Sequence, residues 1–100
     1  MNHTPGPWSV WNFSDDPRHV AVGPESGGLA VADVVACNAH GCYTAETESR
    51  GQCNAVLIAA CPDMLFALRE ALAFFDGEPV ARYAVENVIR SAIAKATGAA

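Results

Sequence analysis

The chain is short of charge, of aromatic rings and of long apolar runs, and each shortage excludes something. Six lysines and arginines stand against eleven acidic residues in a chain of 100, for a net charge of −5. No two of those six cations are adjacent, whereas general nucleic-acid binding needs a basic patch to displace counterions from phosphates. That class is therefore not expected, although a local anion pocket stays open. The longest apolar stretch, Ala55 to Cys61, is far below the ~20 residues that span a bilayer. The opening residues Met1 to Trp8 have neither a basic start nor an apolar core, so no signal peptide is expected and the cytoplasm is the expected compartment. There the four cysteines are expected to stay thiols. A C-x2-C pair and a phosphate-binding glycine loop are both missing, and Gly27-Gly28 reads as a hairpin turn.

What is present is half hydrophobic and ordinary for a globular protein. One α+β domain over residues 1–100 is expected, with a small antiparallel sheet of three or four short strands (about 8–45) followed by three helices. Pro5, Gly6 and Pro7 enforce an extended start. Trp8 to Phe13 reads as the first strand, ended by the turn chemistry of Ser14-Asp15-Asp16-Pro17. His19 to Val22 is the second and Leu29 to Ala36 the third, and Cys42 to Ala45 is a fourth, edge strand. From Thr47 the period becomes 3.6. Cys53, Val56, Leu57 and Ala60 mark the inner face of a helix over 47–61. Pro62 opens the next, over 62–75, whose apolar stripe is Leu65, Leu68, Leu72 and Phe75. Asp76-Gly77 ends it, and Pro79 starts a third over 79–96 that Gly98 caps. In that helix Arg82, Glu86 and Arg90 form the polar face, and Ala81, Ala84, Val85, Val88, Ile89, Ala92 and Ile93 the buried side. Much of the apolar fraction is alanine, so the large core side chains are few: Trp8, Trp11, Phe13, Leu57, Ile58, Leu65, Leu68, Leu72, Phe74, Phe75, Val88 and Ile93. So much alanine in so small a chain also points to a homo-oligomer.

Two segments, His3-Thr4-Pro5-Gly6-Pro7-Trp8 and Asn54 to Leu68, together resemble a group of small phage and prophage accessory proteins. These begin near HTPGPW and carry a helical hairpin of the form NAxLIAAxPxxLxAL. The resemblance implies a phage origin and a bacterial host cytoplasm, and names no reaction. It also implies that alanine usually stands where this chain has Cys53 and Cys61.

That bears on the cysteines. Cys37, His40 and Cys42 share a loop and are the plausible core of a zinc site. Cys53 and Cys61, eight residues apart on one expected helix, lie about 12 Å apart along its axis, too far to share an ion whose Zn–S bonds are about 2.3 Å. With alanine serving at both places in the related group, they read as small packed side chains. Cys61 beside Pro62 also invites a thiolate dyad with His40, but nothing orients a third group around it. No catalytic residue, metal or cofactor is expected, and the chain is not expected to be an enzyme.

The remaining chemistry is aromatic and cationic. Trp8, Trp11 and Tyr43 offer stacking faces, and Arg18, His19, His40 and Arg50 lie in or beside loops where they can meet phosphates. These seven are the expected ligand-binding residues, and the hairpin is expected to be scaffold. His3, among the first few residues, is assigned no role. The expected function, by analogy to the phage group, is non-enzymatic counter-defence: sequestration of a host factor such as a small signalling nucleotide. A protein-directed inhibitor of a host defence complex, of the anti-CRISPR kind, is the alternative, followed by a structural or regulatory accessory.

Overall fold

The computed structural model describes residues 3–11, 16 and 18–98. Three strands precede three helices, in the α+β order expected: β1 (Trp8–Trp11), β2 (His19–Pro24), β3 (Ala32–Val35), α1 (Ala45–Ala59), α2 (Cys61–Phe75) and α3 (Arg82–Thr97). The sheet is an antiparallel meander in the order β1-β2-β3. Phe13 and most of the turn placed after it lie outside the described residues.

Register sets what each face carries. Val10 pairs with Val22, and Val22 with Ala32, while Val20 pairs with Val34. These side chains share the face against which α1 packs, because alternate residues of a strand point the same way. Val20, Val22, Ala55 and Ala59 are the buried centre of that contact, with Trp8, Val10, Val34 and Ile58 around it. The β2–β3 connection turns through Gly27 and Gly28, both at positive φ (89° and 107°), which a side chain would resist.

Several boundaries differ from the sequence reading. Cys42 to Thr44 form no strand; Thr44 instead caps α1 in a reciprocal pair with Thr47. The Thr47 amide donates to Thr44 Oγ1 (3.2 Å) and the Thr44 amide to Thr47 Oγ1 (2.8 Å), so capping overrides the strand propensity of the segment. Helix α1 ends at Ala60, which is also the N-cap of α2, with Pro62 in the first turn of the new helix. Helix α3 starts at Arg82, not at Pro79, because Ala81 is extended (φ −69°, ψ 131°). Gly98 caps α3 in the left-handed conformation (φ 73°), as read.

The core differs more. The buried seam of α1 is Gly51, Ala55 and Ala59, whereas Cys53 and Leu57 face outward. A Cβ on Gly51 would stand 2.5 Å from that of Ala36, so the helix lies on the sheet through its smallest residues and the bulkier stripe is left at the flank. The same inversion occurs in α2. Ala67 is its buried residue, and Leu65, Leu68, Leu72 and Phe75 are exposed, as are Leu57 and Ile93 of the other helices. In α3 the buried residues are Val85 and Ala92. Alanine-to-alanine contact lets helices approach closely, so it wins the interior and displaces the large side chains outward. The radius of gyration is 16.0 Å, with extents of 50 × 27 × 23 Å, against about 13 Å for a compact chain of this length. No described helix is long and apolar enough to cross a membrane.

Candidate functional site

The segment from His3 to Trp8 crosses the N-terminal turn of α2. The Trp8 indole donates to the Thr4 carbonyl at 3.1 Å, and the His3 ring stands edge-on to it, 6.4 Å between centroids. The Glu25 amide donates to the Pro7 carbonyl (3.1 Å), tying the segment to the end of β2. Gly6 then lies directly on Pro62: a Cβ at Gly6 would stand 2.6 Å from Pro62 Cβ.

This crossing makes two adjoining hollows. One, of about 200 Å³, is walled by His3, Trp8, Cys61, Pro62 and Leu65. The other, of about 390 Å³, shares His3, Pro62 and Leu65 and adds Asp63, Phe66 and Arg69 among its walls. Asp63 is already neutralised by Lys95, at 2.7 Å. Arg69 has no ion-pair partner among the described residues, so the larger hollow offers a guanidinium beside an imidazole and an exposed phenyl ring. Its donors and flat apolar faces suit a small, planar, anionic molecule.

The seven residues expected to bind a ligand are distributed otherwise. Trp8 lines the smaller hollow. Trp11 stands on the opposite face of β1, its ring lying over Gly23 and its indole donating to the Pro24 carbonyl (3.2 Å). Two strand residues three apart cannot stack on one base. Arg18 pairs with Asp16 (3.0 Å), His19 with Asp33 (3.0 Å) and Arg50 with Glu46 (3.0 Å), all near the surface. The Arg18 hydrogen bonds hold the Asp16 carboxyl down to about 2, and Asp16 in turn raises the Arg18 guanidinium. Tyr43 donates to Glu48, and that bond, with some desolvation, pushes its phenol up to about 12. His40 lies in a loop closed by Asn38, whose side-chain oxygen accepts from the His40 and Cys42 amides (2.9 and 3.0 Å). Among the described residues, no three His, Cys, Asp or Glu side chains converge as a metal site would require.

The cysteines need a correction. Cys53 and Cys61 are not packed; both are exposed thiols, as is Cys42, and Cys37 is half-buried. Of the stripe that was to bury Cys53, Ala60 is buried and Val56 half-buried but Cys53 and Leu57 face outward, and Cys61 sits on the open side of the first turn of α2, with its sulfur 3.8 Å from the Leu57 carbonyl oxygen.

Sequence reasoning passed over His3, Phe66 and Arg69. Arg69 is the one cation within the α2 sequence, which was the signal available for it. Placing it required knowing that the N-terminal segment docks on α2, and no periodicity reports such a contact.

The family model for Salmonella phage P22 protein Y8K6 matches residues 1–100. No curated protein and no solved structure matches the chain. The chain belongs to the P22 protein Y8K6 family, and the phage setting implied by its two motifs is thereby shown.

Proposed function

We propose that this member of the P22 Y8K6 family is a non-enzymatic counter-defence protein that binds and withholds a small anionic nucleotide of its host. The ligand sits where the His3–Trp8 segment crosses α2. The observation that carries this reading is Arg69, a guanidinium without a carboxylate partner among the described residues, on the wall of a hollow of about 390 Å³ beside His3 and Phe66. A phosphate takes the guanidinium and imidazole, and a base lies against Phe66. The volume falls within the usual range for small-molecule sites. The phage family supplies the setting in which withholding a host signal is useful, and the action is by occupancy alone.

Calorimetry against cyclic and ADP-ribose-derived nucleotides tests it. One class should give saturable heat, weakened about 10- to 100-fold by Arg69→Ala, the loss of one charge-assisted contact, and left unchanged by Arg50→Ala. No heat with any nucleotide, or equal heat from Arg69→Ala, rejects the reading.

A further inference from the structure

Helix α2 presents Leu68, Leu72 and Phe75 to solvent at 68%, 62% and 82% exposure. They fall within one quarter of the helix circumference at 100° per residue, and neither Arg69 nor Glu70 lies among them. Beside them runs an apolar groove of about 230 Å³ between α2 and α3, floored by Ala67, Ala71 and Ala92 and walled by Leu68, Ile89 and Ile93. One face thus carries both large projecting side chains and a hollow floored by alanines.

We propose that this face is the interface with a second copy of the chain, two α2–α3 hairpins forming a four-helix bundle about a two-fold axis. An isologous contact requires one surface to be complementary to itself. The groove supplies the holes, and Leu72 and Phe75 supply the knobs that fill them in the partner. The area agrees. Leu68, Leu72, Phe75 and Ile93 together expose roughly 570 Å², with the groove's alanines between them, against roughly 800 Å² per partner in a standard stable interface. Charge agrees as well: no charged side chain lines the groove, which suits two copies of a chain at −5, and the charges that border the face are Arg69, Arg90 and the Arg82–Glu86 pair (2.9 Å). Among the described residues Val22 is the largest side chain fully buried, while Leu68, Leu72 and Phe75 stand in solvent. The second copy completes that core.

Light scattering coupled to size exclusion tests the interface. The wild-type chain should run at twice the 10.5 kDa of one chain at about 50 µM, a loading suited to an interface of standard size. Leu72→Glu should run at 10.5 kDa with its helical circular dichroism intact. Leu29→Glu, which changes a residue 88% exposed on the β2–β3 connection, should remain dimeric. If Leu72→Glu fails to fold, Phe75→Ser at the end of α2 provides the same comparison. A monomeric wild type, a larger assembly, or a dimer that survives both α2 substitutions overturns the proposal. So does a monomer that takes up a different protein on this face.

Discussion

Gly6 and Pro62 are in contact so close that the place of a Gly6 Cβ is 2.6 Å from Pro62 Cβ and 3.1 Å from Pro62 Cγ. The contact joins the two segments, His3 to Trp8 and Asn54 to Leu68, whose motifs resemble those of small phage proteins. It explains why a glycine stands between two prolines near the start of the chain. Gly6 is not needed for its conformational freedom, since its φ is not among the positive ones. It is needed because α2 occupies the space where a side chain would be.

Gly6→Ala should therefore destabilise the protein by about 1–3 kcal/mol, the usual cost of overpacking a tight contact. Urea unfolding measures it. In a Pro62→Gly background the same substitution should lose most of that cost, because the atoms it strikes are gone. Equal costs in the two backgrounds would show that the penalty comes from elsewhere.

Gly51 sets two effects against each other. In a helix interior Gly→Ala gains about 0.8–1 kcal/mol of propensity. Here the added methyl would stand 2.5 Å from Ala36 Cβ and 3.1 Å from Ala36 Cα, and neither atom can swing aside. Overpacking of about 1–3 kcal/mol should win, so Gly51→Ala should lower stability. Adding Ala36→Gly should restore at least part of the loss, and a Gly51→Ala protein more stable than wild type would refute the close approach of α1 to β3.

Element types and order were legible because they rest on local chemistry: β-branched residues in β2, the period of 3.6 after Thr47, Pro62 opening α2 and Gly98 closing α3. The inward faces of α1 and α2 were not, whereas Val85 and Ala92 of α3 lie inside as read. Counting large apolar residues selected Leu57, Leu65, Leu72 and Phe75 for the core, yet Gly51, Ala55 and Ala67 hold it. A hydrophobic stripe reports that a face will leave water, not whether its own chain or another will cover it. The candidate site was half legible. Trp8 was read because an indole is conspicuous, whereas His3 and Arg69 come to line one hollow only through the Gly6–Pro62 contact, which joins residues more than fifty positions apart.

Two titrations follow from the local pairs. The Arg18 hydrogen bonds lower Asp16 from 3.8 to about 2, so its stabilising contribution is complete above the unfolded value and fades as pH falls through the folded one. A carboxyl NMR titration should show Asp16 protonating near 2, and Arg18→Ala should return it towards 3.8. Tyr43 runs the other way. Its phenol donates to Glu48, so its folded value rises from 10.0 to about 12; the contribution is complete below the unfolded value and is lost as pH climbs through the folded one. With Tyr83 replaced by phenylalanine, tyrosinate absorbance should appear near 12, and Glu48→Gln should bring it lower. A midpoint unmoved by Glu48→Gln would separate Tyr43 from that carboxylate.

The exposed thiols give the sharpest test of how α1 and α2 are turned. Cys42, Cys53 and Cys61 face solvent and Cys37 is half-buried. Native protein treated with an aromatic disulfide reagent should therefore release three equivalents quickly from those exposed thiols, with Cys37 following more slowly. Cys53→Ala should cost less than about 0.5 kcal/mol, as exposed substitutions do. If the stripe of Cys53, Val56 and Leu57 faced the sheet instead, Cys53 would react only on unfolding, and Cys53→Ser would cost several times more through a buried hydroxyl. Cys61 adds a reading of the site itself. It walls the smaller hollow with His3 and Trp8, so a nucleotide bound against Arg69 and His3 should slow its labelling and leave Cys53 unchanged. Protection of both cysteines, or of neither, would place the ligand elsewhere.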